Sequence, residues 1–179
     1  MDFDFDSLKK KIEEATIEAF KEMVSKHKAE GIYAFALYSD DGAMTVCPAT
    51  NTLEHLKKAD KDDFEYYKFS EAEWAYEGEG ANEKFEDICT IVRNEVLEKE
   101  DDGKWFKKFQ GKLYEICIEV LKELRDKKFF TNTLGSEIFL NFEATEYEFP
   151  KKKTREIISL LNNDDYKNEY FLWMKSWGK

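Results

Sequence analysis

Residues 32–38, with the sequence IYAFALY, restrict the possible folds most, because they are apolar at both sets of alternating positions. A strand with this pattern is covered on both faces and lies inside a sheet. Residues 39–42, SDDG, follow it, and Asp-Gly is a strong signal for a tight turn between paired strands. The pattern predicts a central hairpin formed by residues 32–38 and 43–47, with Pro48 ending the second strand.

Most of the remaining chain has helical periodicity, with apolar residues at every third or fourth position, as on helices buried along one face. Helices are predicted over residues 7–28, about 53–60, 82–99, 104–127, 151–161 and 166–177. Further strands are predicted over residues 64–69 and 137–146, with a short helix or loop over 71–76. The helices at 82–99 and 104–127 are expected to form an antiparallel pair. This order predicts a single α+β domain over residues 1–179, in which an antiparallel sheet packs against several amphipathic helices.

The cysteines and the distribution of apolar residues favour a reducing compartment. Cys47, Cys89 and Cys117 are odd in number and widely spaced, so they form neither a disulfide framework nor a metal-binding pair. No uncharged apolar run approaches the ~18–20 residues that a membrane helix needs, and the acidic N-terminus is unlike a signal peptide. We therefore expect a cytoplasmic protein with reduced cysteines and no membrane association.

The common cofactor motifs are absent from the sequence. There is no dinucleotide fingerprint, no P-loop and no zinc-protease HExxH, and His27 and His55 are the only histidines. The aspartate clusters lack the central glycine and terminal glutamate of a calcium loop. No cofactor or metal is therefore expected.

One candidate catalytic pocket lies at the predicted hairpin and the loop that follows it. Cys47 and His55 flank a turn after a strand, where catalytic groups are often placed. Together with Asp40, Asp41 and Asn51 they could form the site of a small hydrolase-like enzyme. The alternative interpretation is that Cys47 packs as a small apolar side chain and His55 lies on a short helix.

Paired carboxylates also suggest glycosidase chemistry, which needs two acids at a defined separation in an aromatic cleft. In a chain of which 37% is charged, such pairs also arise by chance. The pairs are Glu71 with Glu73, Glu77 with Glu79, and Asp62 with Asp63, and Trp74 and Tyr76 lie between the first two pairs.

The acidic charge is concentrated in one segment. Of the formal net charge of −11, most lies in residues 54–102, which hold 17 acidic and 7 basic side chains, whereas residues 103–179 are slightly basic. This balance disfavours nucleic-acid binding, which needs Lys and Arg, and favours a basic protein partner. Aromatic rings that anchor among charges that steer are typical of a protein interface, although such rings can equally face the core. The predicted contact residues are Asp62, Asp63, Tyr66, Tyr67, Glu71, Glu73, Trp74, Tyr76 and Glu77.

Several blocks resemble the bacterial domain-of-unknown-function 4303 family. Residues 32–42, IYAFALYSDDG, and 47–54, CPATNTLE, are similar to its block "YAFALY-turn-(S/C)PA-NT-E". Residues 70–77, SEAEWAYE, and the Leu-Asn pair before Tyr166 resemble two further family segments. The resemblance implies a bacterial cytoplasmic α+β protein with no established activity.

Three functional hypotheses follow from the sequence. The leading one is a non-enzymatic binding protein, by analogy an immunity-type protein that masks a basic toxin with its acidic face. The second is the hydrolase-like enzyme with its site at the hairpin, and the third is a housekeeping or stress adaptor. The oligomeric state stays open.

Overall fold

The computed structural model describes residues 3–99 and 102–177 and contains a four-stranded sheet with helices on both faces. The strands are β1 (Ile32–Asp40), β2 (Cys47–Thr52), β3 (Tyr76–Glu77) and β4 (Phe139–Thr145), in the spatial order β3-β2-β1-β4. Strand β2 is antiparallel to both of its neighbours, whereas β4 runs parallel to β1. The predicted α+β class is confirmed, but the sheet is mixed and not purely antiparallel. The long helical connection before β4 permits the parallel pairing, since parallel strands need a crossover and not a tight turn.

Strand β1 is the predicted central strand, but its hairpin partner is displaced along the chain. Residues 41–46 form a loop, and β2 begins only at Cys47. The Asp40 carboxylate holds this loop, because it accepts hydrogen bonds from the Met44 N–H at 3.3 Å and from the Thr45 hydroxyl. Val46 then turns into the core, where it is fully buried. The predicted strand over 43–47 is therefore wrong.

Pro48 lies within β2, opposite Leu37, and does not end the ladder. Its carbonyl accepts a hydrogen bond from the Gly78 N–H at 2.8 Å, on the side of β3. The N–H and C=O of one residue in an antiparallel strand point to the same side, so the nitrogen of Pro48 also faces the short strand β3. The proline therefore removes no hydrogen bond between β2 and the central strand.

The long predicted helices are confirmed, with small changes at their ends. In the described residues the α-helices are α1 (Phe5–His27), α2 (Leu53–Leu56), α3 (Phe64–Phe69), α4 (Asn82–Glu98), α5 (Gly103–Asp126), α6 (Phe129–Leu134), α7 (Lys151–Leu161) and α8 (Asp164–Met174). The helices α4 and α5 both pack mainly against α1, so their expected direct pairing is not the main contact of either.

The strand predicted over residues 64–69 is wrong, because this segment forms the helix α3. Phe69 is buried on the sheet face, where its ring lies 5.0 Å from that of Phe139, while Phe64 and Tyr66 are exposed. Aromatic residues favour strands only where a pleated, half-buried position is available to them. A 3-10 turn at Glu71–Glu73 and the short strand β3 follow, so the edge of the sheet is occupied by β3.

Two hydrophobic cores lie on opposite faces of the sheet. The larger core packs α1, α4, α5 and α6 against one face, with edge-on contacts of Phe20 to Phe35 and Phe130. The smaller core lies on the other face, beneath α3 and α8, and is centred on Phe139 and Tyr170. No helix in the described part of the chain is long and apolar enough to cross a membrane.

Candidate functional site

Three alanines leave a hollow on the face of the sheet that carries the smaller core. Ala34, Ala36 and Ala49 are fully buried there, and we call them the alanine floor. In the sheet register Ala36 pairs with Ala49 on β2 and with Asn141 on β4. Small side chains beside polar ones on a covered face create space for polar groups from the layer above. Further along the same pair of strands, Tyr38 pairs with Glu143.

Glu71 lies in the 3-10 turn Glu71–Glu73 and is the buried residue of that turn. Only 6% of its surface is exposed, and its Oε2 atom is buried without a hydrogen-bond partner. Its carboxyl lies within hydrogen-bonding reach of the Glu143 carboxyl, and we call these two groups the carboxyl pair. The Asn141 amide donates to Oε1 of Glu143 at 2.8 Å and so fixes that side of the pair.

Burial and mutual repulsion change the acidity of the carboxyl pair. Burial, together with the neighbouring charge of Glu143, raises the pKa of Glu71 well above its usual range. Burial also raises the pKa of Glu143, while hydrogen bonds from Glu71 and Asn141 oppose that rise. Two carboxyls at such a separation cannot both ionise at low cost, so the pair retains one proton where an ordinary glutamate has lost its own. The arrangement offers one hydrogen-bond donor and one carboxylate in a desolvated site.

A cleft of about 510 Å³ lies beside the carboxyl pair, between β4, α7 and α8. Glu143 contributes to its lining, whereas Glu71 does not. We call this the α7–α8 cleft. Besides Asn141 and Glu143, its wall includes the rings of Tyr147, Phe149, Tyr170 and Trp177.

Tyr170 connects the cleft to the carboxyl pair. Its ring stacks on Phe139 with centroids 5.8 Å apart, and the residue is almost fully buried. Burial and the nearby charges of Glu143 and Glu71 raise the pKa of its hydroxyl well above the ordinary value. Within residues 3–99 and 102–177 no group of three or more His, Cys, Asp or Glu side chains is arranged to hold a metal ion.

The residues predicted to contact a partner are divided between surface and interior. Glu71 and Trp74 are buried, with 6% and 5% of their surface exposed, so neither side chain is accessible to a partner in this structure. Trp74 packs towards Phe139, with ring centroids 6.4 Å apart. The half-buried members are Tyr67, Glu73 and Tyr76, and the exposed members are Asp62, Asp63, Tyr66 and Glu77.

Tyr76 is held by contacts within the molecule. Its hydroxyl donates to the Glu30 carboxylate at 2.7 Å, and its ring lies 4.0 Å from the His27 ring. Burial and the Glu30 carboxylate raise the pKa of Tyr76 to about 12. This tyrosine joins the edge of the sheet to the end of α1, and its hydroxyl is already engaged.

The five residues of the predicted hairpin pocket are not brought together. Asp40 and Cys47 lie at one end of the β1–β2 pair, and Asn51 lies at the other end with His55 just beyond it. The four residue steps along the strand from Cys47 to Asn51 span about 13 Å. Asp41 lies past the end of β1, where its carbonyl accepts from Gln110 at 2.6 Å.

Each member of this set has a partner of its own. The Asn51 amide donates to the Tyr33 hydroxyl at 2.9 Å, and its oxygen accepts from the Thr52 N–H. The His55 ring nitrogen Nε2 lies 3.1 Å from the Glu73 carbonyl. Cys47 contacts Cys89, and its hydrogen bond lowers the pKa of the Cys89 thiol to about 6. All three cysteines are free, as the sequence predicts.

Sequence reasoning missed Asn141 and Glu143. These residues alternate with Leu140 and Phe142 along β4, which is the pattern of a half-solvated strand. In the structure both faces of β4 are covered, so the polar residues lie under α8 and not in bulk water. The alternation of Ala34 and Ala36 with larger apolar residues in β1 was the available signal for a close approach on that face.

Comparison with protein families identifies a family for most of the chain. A family model described as "Domain of unknown function (DUF4303)" matches residues 12–163. The matched range contains the alanine floor, the carboxyl pair and Asn141, whereas Tyr170 and Trp177 lie beyond it. None of the curated proteins and none of the solved structures matches the chain.

Proposed function

The chain belongs to the DUF4303 family, and we propose that it is a non-enzymatic protein-binding module of the bacterial cytoplasm whose partner is a basic protein. An immunity-type role, in which the acidic surface masks a basic toxin domain, is the biological setting that this proposal favours. The family description names no activity, so the proposal depends on the surface that the fold displays.

The observation that carries the proposal is the surface formed by Asp60, Asp62, Asp63, Phe64, Glu65 and Tyr66, which we call the α3 surface. Phe64 is 38% exposed and Tyr66 is 44% exposed, although both are large rings. The other four side chains of the α3 surface are acidic and exposed to solvent. An exposed aromatic ring among mainly acidic side chains, here with the exposed Lys61 as one basic neighbour, combines an anchor with a steering field.

The structure supports fewer anchors than the sequence pattern suggests. Trp74 and Phe69 fill the smaller core, and Tyr76 is engaged by Glu30, so the rings available to a partner are chiefly those of Phe64 and Tyr66. Tyr67 is half-buried, and its ring lies 6.1 Å from that of Tyr66 in an edge-on contact that supports it. Binding energy is therefore expected to concentrate on Tyr66 and its acidic neighbours.

The test is affinity capture from the native host, with the immobilised full chain and the doubly substituted Phe64→Ala/Tyr66→Ala chain compared side by side. Leu97→Ala is the matched control, since Leu97 is a 50% exposed apolar residue on α4, which packs on the opposite face of the sheet from α3. We expect a basic protein to be retained by the wild type and by the control, and lost from the double variant. Truncating an interface anchor typically costs about 2 kcal/mol or more, which is roughly a 30-fold loss of affinity.

Salt dependence provides the second arm of the test. Raising the ionic strength from about 0.1 M to about 1 M shortens the screening length from about 10 Å to about 3 Å, so association with a basic partner should slow markedly. Asp62→Asn/Asp63→Asn should reduce the association rate and flatten this dependence. Retention of the same partner by the Phe64→Ala/Tyr66→Ala chain, or binding that is insensitive to salt, would contradict the proposal.

A further inference from the structure

The α7–α8 cleft combines features that the protein-binding proposal does not use. The cleft lies between β4, α7 and α8. Its volume of about 510 Å³ is within the range of small-molecule sites, about 300–1,000 Å³. We propose that this cleft binds a small organic cation, a primary ammonium or guanidinium group on a short apolar stem, with the carboxyl pair as its acceptor.

The hydrogen bonding of the carboxyl pair beside the cleft is incomplete. Glu71 is more than nine-tenths buried and its Oε2 atom has no partner, which is costly for a carboxyl in a desolvated position. Glu71 is not part of the lining, so the acceptor that a ligand in the cleft reaches is the Glu143 carboxyl, of which Asn141 engages Oε1. An ammonium or guanidinium group supplies several donors at once and offsets the negative charge.

The walls of the cleft are rich in aromatic rings. Tyr147 and Phe149 meet edge-on with centroids 4.9 Å apart, and Tyr170 and Trp177 meet edge-on at 6.2 Å. The faces of such rings attract cations, and their apolar surface accommodates an alkyl stem. An anion would meet an unfavourable environment, because Glu143 lines the cleft beside these rings.

The lining of the cleft contains one lysine. Lys151 contributes to the wall, but its Nζ atom lies 3.4 Å from the Trp177 carbonyl at the end of the chain's last described turn. Within the described residues it forms no ion pair with Glu143 or Glu148, the two acids of the lining. The carboxyl pair therefore keeps its acceptors available to a ligand.

Proton release follows from this mode of binding. The carboxyl pair retains a proton above the range in which a free glutamate has lost it. A bound cation stabilises the doubly ionised pair, so binding expels that proton and the affinity rises with pH until the pair is ionised without a ligand. A neutral ligand of the same shape would produce no such release.

The experiment is a titration of the full chain with n-butylammonium chloride, n-butanol and sodium butyrate, which share one stem and differ in charge. Isothermal titration calorimetry in two buffers with different ionisation enthalpies measures both affinity and proton release. We expect n-butylammonium to bind with a dissociation constant on the order of 1 mM, as is usual for so small a ligand, with release of a proton. Binding of butanol or butyrate should be at least tenfold weaker.

Substitutions then locate the site. Glu143→Gln should weaken n-butylammonium binding at least tenfold and abolish proton release, whereas Glu86→Gln, an exposed glutamate on α4, should leave both unchanged. If Glu143→Gln fails to fold by circular dichroism, the wild-type charge series and its proton release decide alone. Equal binding of butanol, failure of the ammonium to bind, or binding without proton release would overturn the proposal.

Discussion

Replacement of Glu71 by glutamine removes one of the two titrating groups of the carboxyl pair while keeping the shape of the side chain. The introduced side-chain amide can donate to the Glu143 carboxylate, as the shared proton does in the wild type, so the contact is retained without a proton equilibrium. We therefore expect Glu71→Gln to fold and to differ from the wild type chiefly in the pH dependence of its stability.

The sign follows from the raised pKa of Glu71. In the unfolded chain this group titrates near its ordinary value of 4.5, whereas in the folded protein its pKa lies well above that. Above the unfolded value the native state therefore binds more protons than the unfolded state, and stability falls as pH rises until the folded pKa is passed. The loss is about 1.4 kcal/mol per pH unit for one proton, and it is absent from Glu71→Gln.

The assay is urea unfolding followed by tryptophan fluorescence at about pH 5.5 and about pH 6.5, a window just above the unfolded pKa. Across this interval the free energy of unfolding of the wild type should fall by about 1.4 kcal/mol relative to that of Glu71→Gln. Glu86→Gln, which makes the same chemical change on the exposed face of α4, should follow the wild type. Parallel pH profiles for the wild type and Glu71→Gln would refute the reasoning.

Two further predictions concern the framework around the site. Gly80 has φ +104°, and a Cβ there would lie 3.0 Å from the Cβ of Ala19. Gly80→Ala should therefore lower the free energy of unfolding, measured in urea, by about 1–3 kcal/mol. A Cβ at Gly111 inside α5 meets no atom within 4 Å, so Gly111→Ala should stabilise the protein by about 1 kcal/mol. Equal effects of the two alanines would contradict the strain at Gly80. Asn162 binds both the N–H and the C=O of Leu140 on the outer edge of β4, at 2.8 and 2.7 Å, so Asn162→Ala should cost about 2–4 kcal/mol in the same assay. A loss well below 1 kcal/mol would show that water replaces the amide at that edge.

The helical part of the fold was predictable because its determinants are local. Leu8, Ile12, Phe20 and Met23 recur at helical spacing in the sequence, and all four are buried along one side of α1. The segment 64–69 was not predictable in this way, because its four rings favour a strand by propensity. A strand there would have needed a sheet edge, and the edge beside β2 is taken by Tyr76–Glu77.

The carboxyl pair was unpredictable for a different reason. Glu71 and Glu143 meet only because β4 pairs in parallel with β1, and no local pattern specifies that pairing. Within its own segment the sequence pairs Glu71 with Glu73, two residues away. In a 3-10 turn such neighbours point in different directions, since side chains at i and i+3 align and those at i and i+2 do not. Long-range register, and not residue spacing, determines which acids share a proton.

The extent of the family match separates two parts of the proposed cation site. Its charged base, formed by the carboxyl pair and Asn141 beside the alanine floor, lies within residues 12–163. Its aromatic wall is completed by Tyr170 and Trp177, which lie beyond that range. The base depends on a small residue in β1, because Ala36 pairs with Asn141 and a larger side chain there would crowd the amide that binds Glu143. On the proposed binding mode, the charge of a ligand is therefore recognised by the part of the fold that the family model covers, and the shape of its stem by α8 and the residues that follow it.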